Sequence, residues 1–209
     1  MLISYILLFS TVYLLLIRNI YTGIVLLSMQ SFLLAFKVIE MGLEQAEPHL
    51  YWVAFLTIGV KALLIPYILH ITMFKNKINR DVERWMNRTN AFLFGIALLL
   101  TSSVVADRMD LPLSVSGQEM IEVALGMLLM GAYLMIIHKK AIMQGIGLIT
   151  LENGIFLFSL AITNGIPFMI ELGIFFDLLI SVVIIGIFSH RIHHTFASLN
   201  TDKLQNLKG

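Results

Sequence analysis

The sequence predicts an all-α integral membrane protein. Of its 209 residues, 58% are apolar and only 13% are charged, whereas about a quarter of the residues in a soluble protein are charged. The mean hydropathy is +0.89. The apolar residues form long runs, close to the roughly twenty that an α-helix needs to cross a bilayer. These runs lack the alternation that is typical of β-barrel strands.

Seven hydrophobic segments predict about seven transmembrane helices. The run that begins at Met1 is followed by another after a two-residue break, so we interpret it as a span and not as a cleaved signal peptide. The chain then divides into an N-terminal four-helix region, 1–110, and a C-terminal three-helix region, 111–209. The predicted segments are 2–17, 20–39, 50–74, 91–106, 119–137, 141–163 and 166–188.

The lysines and arginines predict the orientation of these helices. Eleven of the fourteen lie on one side, in the first, third and fifth connections and in the C-terminal tail. By the positive-inside rule that side is cytoplasmic, which places the C-terminus in the cytoplasm and the N-terminus outside. The second connection, by contrast, carries Glu40, Glu44 and Glu47. The eleven basic residues are Arg18, Lys75, Lys77, Arg80, Arg84, Arg88, Lys139, Lys140, Arg191, Lys203 and Lys208.

Four charged residues within the predicted spans need an explanation: Lys61, Glu152, Glu171 and Asp177. Insertion of a charge at the bilayer centre costs about 2.5–3.5 kcal/mol on insertion scales. All but Glu171 lie near the middle of their segments, and Glu171 lies about a turn and a half inside the outer end. Buried carboxyl groups can take up and release protons near neutral pH, and they commonly mark ion or proton routes.

Each of these residues also has a simpler interpretation. Lys61 and one acid could form a static ion pair that fixes helix packing. Glu171 could reach headgroup water at a helix N-terminus, where the helix dipole stabilises a carboxylate. Glu152 and Asp177 could be inert structural charges, although we favour proton handling for both. Asn153 is most simply an interhelical hydrogen-bonding group that supports the neighbouring acid.

Three local patterns refine this prediction. Pro66 lies five residues after Lys61, removes a backbone hydrogen bond and is expected to kink the third span. Ser116 and Glu119 have capping-box spacing at the start of the fifth span. Glu171 and Asp177 are six residues apart, about 9 Å along one helix, so they could form successive stations on a path but not one pocket.

The sequence offers no sign of a redox centre or cofactor in this chain. It has no cysteine, which excludes a cysteine-ligated iron–sulfur cluster, a thiolate nucleophile and a disulfide. Its six histidines all fall in connections or near helix ends, so we expect no haem. No phosphate loop or nucleophile motif is present, and we expect no bound metal and no nucleic-acid partner.

Two stretches near the C-terminus carry a family resemblance. The segments "HKKAIMQGIGLITLENGIFLFSLAI" and "ELGIFFDLLISVVIIGIFSHRIHHT", with "VKALLIPYI" in the third span, resemble the hydrogenase-4 component E family. Members of that family are membrane subunits of group 4 energy-converting [NiFe] hydrogenases, including formate hydrogenlyase-type complexes. The last three helices are similar to subunit K of bacterial respiratory complex I. On that pattern, Lys139 and Lys140 match a basic turn, Glu152 matches a first buried glutamate, and Asp177 stands where a second would align.

This resemblance implies a non-catalytic subunit of a complex I-like, hydrogenase-linked oxidoreductase in a prokaryotic cytoplasmic membrane. Its implied partners are the lipid bilayer, antiporter-like and quinone-site-type membrane subunits, and a peripheral [NiFe] hydrogenase-type arm. Within such a complex, Glu152, Asp177, Glu171 and Lys61 would contribute to a proton or sodium path. The alternatives are a purely structural scaffold for larger antiporter-like subunits, and a subunit of a multi-subunit cation/proton antiporter.

Overall fold

The computed structural model describes residues 2–45, 47–75, 81–109 and 114–163. Within these ranges the chain is helical, apart from short connections and two isolated β-bridges, as the hydrophobic runs predict. We number the α-helices in chain order and call Thr57–Leu64 the π segment, because its hydrogen bonds have π-helical spacing. The helices are α1 (Leu2–Leu14), α2 (Ile20–Gln45), α3 (Pro48–Leu56), α4 (Ile65–Lys75), α5 (Arg88–Arg108), α6 (Val115–Ile137) and α7 (Ala141–Thr163).

Five helices in the described ranges are long and apolar enough to cross a membrane. The helix α1 is apolar but shorter, with 13 residues. Each of the first six predicted segments therefore corresponds to a helix, with α3, the π segment and α4 following one another in the third. The seventh predicted segment, 166–188, lies outside the described residues, so the count of seven and the orientation remain predictions. The five spans are Ile20–Glu44, Pro48–Phe74, Arg88–Arg108, Val115–Ile137 and Ala141–Ile162.

Two details of the predicted boundaries are wrong. The acidic second connection is mostly helix, because α2 continues to Gln45 and Pro48 opens α3, where a missing N–H costs nothing. Lys37 supports this extension through a 2.8 Å ion pair with Glu40, three residues along α2. At the start of α6 the capping residue is Ser114, whose hydroxyl accepts a hydrogen bond from the Gly117 amide at 3.2 Å.

The helices α6 and α7 are packed backbone to backbone. A methyl group built on Gly131 would lie 2.4 Å from the Leu151 amide nitrogen, and one on Gly154 would lie 2.8 Å from the Ala124 carbonyl oxygen. Side chains larger than hydrogen cannot occupy such positions without a backbone shift. The glycines of these two helices therefore allow the close packing that is common between membrane helices, and they fix α7 against α6.

Three connections meet at one end of the helix bundle. The Val82 amide donates to the Arg18 carbonyl at 3.0 Å, and the Lys139 amide donates to the Glu83 carbonyl at 3.1 Å. The Lys140 ammonium group lies 3.0 Å from the Glu83 carboxylate. The first, third and fifth connections are the ones that the charge pattern predicts to share a side, and their hydrogen bonds place them together.

His138, which follows α6, is buried at this end of the bundle. Its ring Nδ1 lies 2.7 Å from the Leu134 carbonyl oxygen, so Nδ1 must carry the proton and donate it. Burial lowers the pKa of His138 to about 4, with a smaller contribution from the positive charge of Arg84 and against the opposing effect of this hydrogen bond. His138 is therefore neutral at physiological pH and holds the end of α6 as a hydrogen-bond donor.

Candidate functional site

The two charges that the sequence places in the third and sixth spans lie at the same depth. Lys61 is the central residue of the span Pro48–Phe74, with 13 residues on either side. Glu152 is the central residue of α7, with 11 residues on either side. Both residues therefore lie as far from the ends of their helices as the helices allow, where a charge is most costly in a membrane.

The fold brings these two charges into contact. The Lys61 ammonium nitrogen lies 3.0 Å from the Glu152 carboxylate oxygen Oε1, and it donates to the Asn153 side-chain oxygen at 3.5 Å. The Lys61 side chain is fully buried, whereas that of Glu152 is 13% exposed. Lys61 is among the largest side chains that the fold excludes completely from the surface. An ion pair thus joins the middle of the π segment to the middle of α7.

An aromatic ring completes the surroundings of the lysine. The Phe156 ring centroid lies 5.2 Å from the Lys61 nitrogen, within the range of a cation–π interaction. Phe156 is one helical turn beyond Glu152, so both can face the same neighbouring helix. Nothing in the apolar run of α7 distinguishes Phe156 from a core residue, and the sequence alone does not identify it.

Gly154, two residues after Glu152 on α7, affects where Glu152 lies relative to α6. Gly154 lies against the α6 backbone, so this part of α7 can pack closely on α6. The motif "LENG" (residues 151–154) therefore combines the acid Glu152, the amide Asn153 and a glycine that contacts a second helix. Asn153 is fully buried, and its bond to Lys61 is the interhelical hydrogen bond that the sequence suggests.

The lysine lies in a distorted part of its helix. Hydrogen bonds in the π segment span five residues instead of four, and the segment ends where the Ile65 amide donates to the Val60 carbonyl. Pro66 follows, after Ile65. The sequence predicts a kink at Pro66, and the structure has a π-helix over the eight residues Thr57–Leu64, just ahead of Ile65 and the proline. Such segments inside α-helices are frequent at functional sites.

The Lys61–Glu152 ion pair adds little net stability to the fold, but loss of one partner would cost much. Removal of two charges from water costs several kcal/mol for each ion, and their attraction offsets that cost only with good geometry and additional hydrogen bonds. Asn153 and Phe156 provide additional contacts for the cation. A charge that lost its partner here would remain buried, so the energetics favour either the intact pair or a pair neutralised by proton transfer.

Another buried polar group is the side-chain amide of Gln30, which no pattern in the sequence singles out. The Gln30 side-chain nitrogen of α2 donates to the hydroxyls of Ser10 and Thr11 on α1, both at 3.1 Å. All three residues are buried. The sequence does contain a sign of this group, because Gln30 is a polar residue within an apolar run. Because these groups are neutral and hydrogen-bonded to each other, they join α1 to α2 without the cost of a buried charge.

Two predicted site residues, Glu171 and Asp177, lie outside the described residues, so their relation to Lys61 and Glu152 remains a prediction. Within the described ranges, no group of three or more His, Asp or Glu residues could hold a metal ion. The described part of the site thus consists of an ion pair, an amide and an aromatic ring. This chemistry is suited to holding or moving a charge.

The fold and this site define a multi-span α-helical membrane protein with an ion pair at its centre. The chain is a distant homologue of hydrogenase-4 component E of Escherichia coli, with 26% identity over 166 residues that cover 78% of this chain and 76% of the relative. The Shigella flexneri protein of the same name gives the same figures. An uncharacterised protein of Mycobacterium tuberculosis is 24% identical over 195 residues, which cover 91% of this chain and 87% of that protein. No family model and no solved structure matches the chain.

Proposed function

We propose that this chain is a membrane subunit of a hydrogenase-linked, complex I-like redox complex, and that its Lys61–Glu152 pair forms part of a proton or sodium path. The relation to hydrogenase-4 component E supports the first part of this proposal. The observation that carries the second part is the 3.0 Å contact between two opposite charges at the centres of two spans.

The mechanism that we propose is a movement of charge at the pair. When an ion arrives or leaves nearby, the balance between the charged pair and its neutralised form changes. Glu152 can accept a proton from Lys61, which leaves both groups neutral, and the return of that proton to Lys61 restores the charged pair. Glu171 and Asp177 would extend this path within the C-terminal region. Redox chemistry would occur in other subunits, of the antiporter-like, quinone-site and [NiFe] hydrogenase types that the resemblance implies.

The main competing function is a structural scaffold. In that case the ion pair only fixes the packing of α7 against the π-containing helix, and neutralisation of the acid changes stability without changing ion movement. Membership of a cation/proton antiporter is the other alternative. It predicts ion movement without any link to hydrogen oxidation or production.

The test is an ion-movement assay on the whole complex. Inverted membrane vesicles from cells that produce the complex receive an electron donor, and dye quenching reports the proton gradient while radioactive sodium reports sodium uptake. We expect both Glu152→Gln, although it is less stable, and Asp177→Asn to be incorporated into the complex and to lose most of the coupled ion movement per assembled complex. The matched control is Glu44→Gln, which removes an exposed carboxylate on α2. Wild-type coupling in both variants would exclude the proposed path.

A further inference from the structure

Buried polar side chains form a layer between two hydrophobic clusters of the bundle. One cluster includes Leu27 of α2 and Ile149 of α7. The other begins further along the same helices, at Leu34 and Phe156. Between the clusters, α1, α2, the π segment and α7 contribute the residues that we call the polar layer: Ser10, Thr11, Gln30, Ser31, Thr57, Lys61, Thr150 and Asn153. The central ion pair therefore has other polar groups at its own depth.

The amide of Gln30 has a fixed orientation in this layer. The hydroxyls of Ser10 and Thr11 both donate to the Leu7 carbonyl, at 2.7 and 2.8 Å. Since each hydroxyl has one hydrogen, both can only accept from Gln30, which must turn its NH₂ group toward them. The Gln30 oxygen Oε1 consequently points elsewhere, and it meets no donor among the described residues.

Asn153 carries the complementary group. Its side-chain oxygen accepts from the Lys61 ammonium group, which assigns the other end of the amide to the nitrogen Nδ2. This nitrogen meets no acceptor in the described part of the chain. Gln30 and Asn153 are both fully buried, and buried polar groups without a partner are rare and costly. The layer thus holds one acceptor that needs a donor and one donor that needs an acceptor.

The packing of α2 on α7 predicts that these two side chains face each other. Both helices start from connections that meet at one end of the bundle, so they run in the same direction. A methyl group built on Gly23 of α2 would lie 3.1 Å from Cδ1 of Ile146 on α7. A step of seven residues, about two turns, returns to nearly the same face of a helix. That step leads from Gly23 to Gln30 and from Ile146 to Asn153.

We propose that a water molecule bridges Gln30 and Asn153, and that Gln30 is thereby a positioning residue for Lys61. No hydrogen bond joins the two amides directly within the described ranges, and ordered water commonly bridges buried polar groups that direct bonds leave unsatisfied. The water accepts from Asn153 Nδ2 and donates to Gln30 Oε1. Every donor then points the same way, from Lys61 through Asn153, the water and Gln30 to the hydroxyls of α1.

This chain anchors the oxygen that contacts the lysine. Hydrogen bonds aligned in one direction polarise one another, so each link strengthens the bond from Lys61 to Asn153. The two amides have no titrating proton, so the chain orients the ammonium group of the pair and does not carry its proton away. The consequence for ion movement rests on the proposed function, whereas the bridge itself is independent of it.

Electron cryomicroscopy of the whole complex, at a resolution that shows ordered water, tests the bridge directly. We expect a density peak within hydrogen-bond distance of both Gln30 Oε1 and Asn153 Nδ2. The peak should be lost in Gln30→Met, which keeps the length of the side chain but not its amide. The hydroxyls of α1 retain their bonds to the Leu7 carbonyl in that variant. A direct bond between the two amides, or apolar atoms packed between them, would overturn the bridge.

A double-mutant cycle tests the positioning role. We expect Gln30→Met to reduce coupled ion movement per assembled complex roughly fivefold, the size expected for one net hydrogen bond. In an Asn153→Leu background, where the chain is already broken, the same substitution should reduce it less than about twofold. The matched control is Gln144→Met, which removes a glutamine amide that donates to the His138 carbonyl at the end of the bundle. Its rate should stay near that of the wild type.

Equal effects of Gln30→Met in the two backgrounds, or a wild-type rate in Gln30→Met, would overturn the positioning role. If Glu152→Gln itself leaves ion movement unchanged, the proposed function fails instead. The same cycle, measured as thermal stability of the purified complex, then decides the Gln30 inference by the coupling between Gln30 and Asn153.

Discussion

Lys61 and Glu152 meet at 3.0 Å although 91 positions separate them in the chain. The lysine comes from a π-helical stretch ahead of a proline, and the acid comes from a helix fixed against α6 through glycine contacts. This relationship joins the two halves of the chain at the depth where isolated charges are least tolerated. Its consequences can be measured without knowledge of the transported ion.

Removal of one partner of the pair should destabilise the protein more than removal of both. Lys61→Met or Glu152→Gln leaves a buried group without its counter-charge, a loss of about 3–5 kcal/mol in comparable buried pairs. The double variant should recover much of that loss. Unfolding of the purified protein in mixed detergent micelles measures the difference. If the two single effects simply add, the contact does not exist in the membrane.

The cation–π contact predicts a coupling between Lys61 and Phe156. Phe156→Leu should cost more with Lys61 present than in a Lys61→Met background, by about 1–2 kcal/mol, as expected for a desolvated cation over an aromatic face. The cycle removes the common effect of a smaller side chain. Equal costs in the two backgrounds would reduce Phe156 to a packing residue.

Close packing of α6 on α7 predicts which glycines tolerate a methyl group. Gly131→Ala should destabilise the protein by at least about 1–3 kcal/mol, as overpacking does, because the new methyl would meet the Leu151 backbone. Gly59→Ala is the matched control, since a methyl group built there would meet no neighbouring atom within 4 Å. Thermal melts of the two variants should separate clearly, and similar melting temperatures would contradict this packing.

Acidification should weaken the end of the bundle that His138 holds. In the unfolded chain the pKa of His138 is about 6.5, and in the folded protein burial lowers this pKa to about 4. Between these values only the unfolded chain binds the proton, so this group's contribution to stability is complete above about pH 6.5 and falls as the pH drops toward 4. His138→Asn retains a donor for the Leu134 carbonyl and should flatten this part of the stability curve. Parallel curves for the variant and the wild type would contradict this.

The distribution of basic residues predicts the orientation. A reporter fused to the C-terminus that is active only outside the cytoplasm should be inactive, while a fluorescent protein at the same place should fold and emit. The basic connections at 81–84 and 138–140 would then lie in the cytoplasm together. An active external reporter would reverse this orientation.

The sequence identifies the charges but not their pairing. Lys61 and Glu152 are conspicuous because a charge in an apolar run is costly wherever it lies. Helical periodicity describes one helix at a time, so it cannot predict which spans become neighbours. Phe156 was missed for the same reason, since an aromatic residue in α7 gains its meaning only from the lysine opposite.

The sequence also does not predict which side chain forms a hydrogen bond with a given backbone group. Pro66 predicts that its helix is distorted, but the sequence does not show that the distortion is a π segment or that the Ser28 hydroxyl of α2 donates to the Ala62 carbonyl. At the start of α6, Ser114 and Ser116 are both of a residue type that caps helices, and only the helix bounds show that Ser114 is the cap. Local patterns thus predict that a helix begins or is distorted. Tertiary packing decides which side chain forms a hydrogen bond with the backbone there.

The central claim is that Glu152 changes its protonation or its partner during turnover. Infrared difference spectroscopy of the whole complex, recorded between its oxidised and reduced states, observes carboxyl groups directly. We predict a carboxyl band that disappears in Glu152→Gln and changes in Lys61→Met, while it persists in the control Glu44→Gln. An identical difference spectrum in the wild type and in Glu152→Gln would contradict the account and leave the pair a static link between two helices.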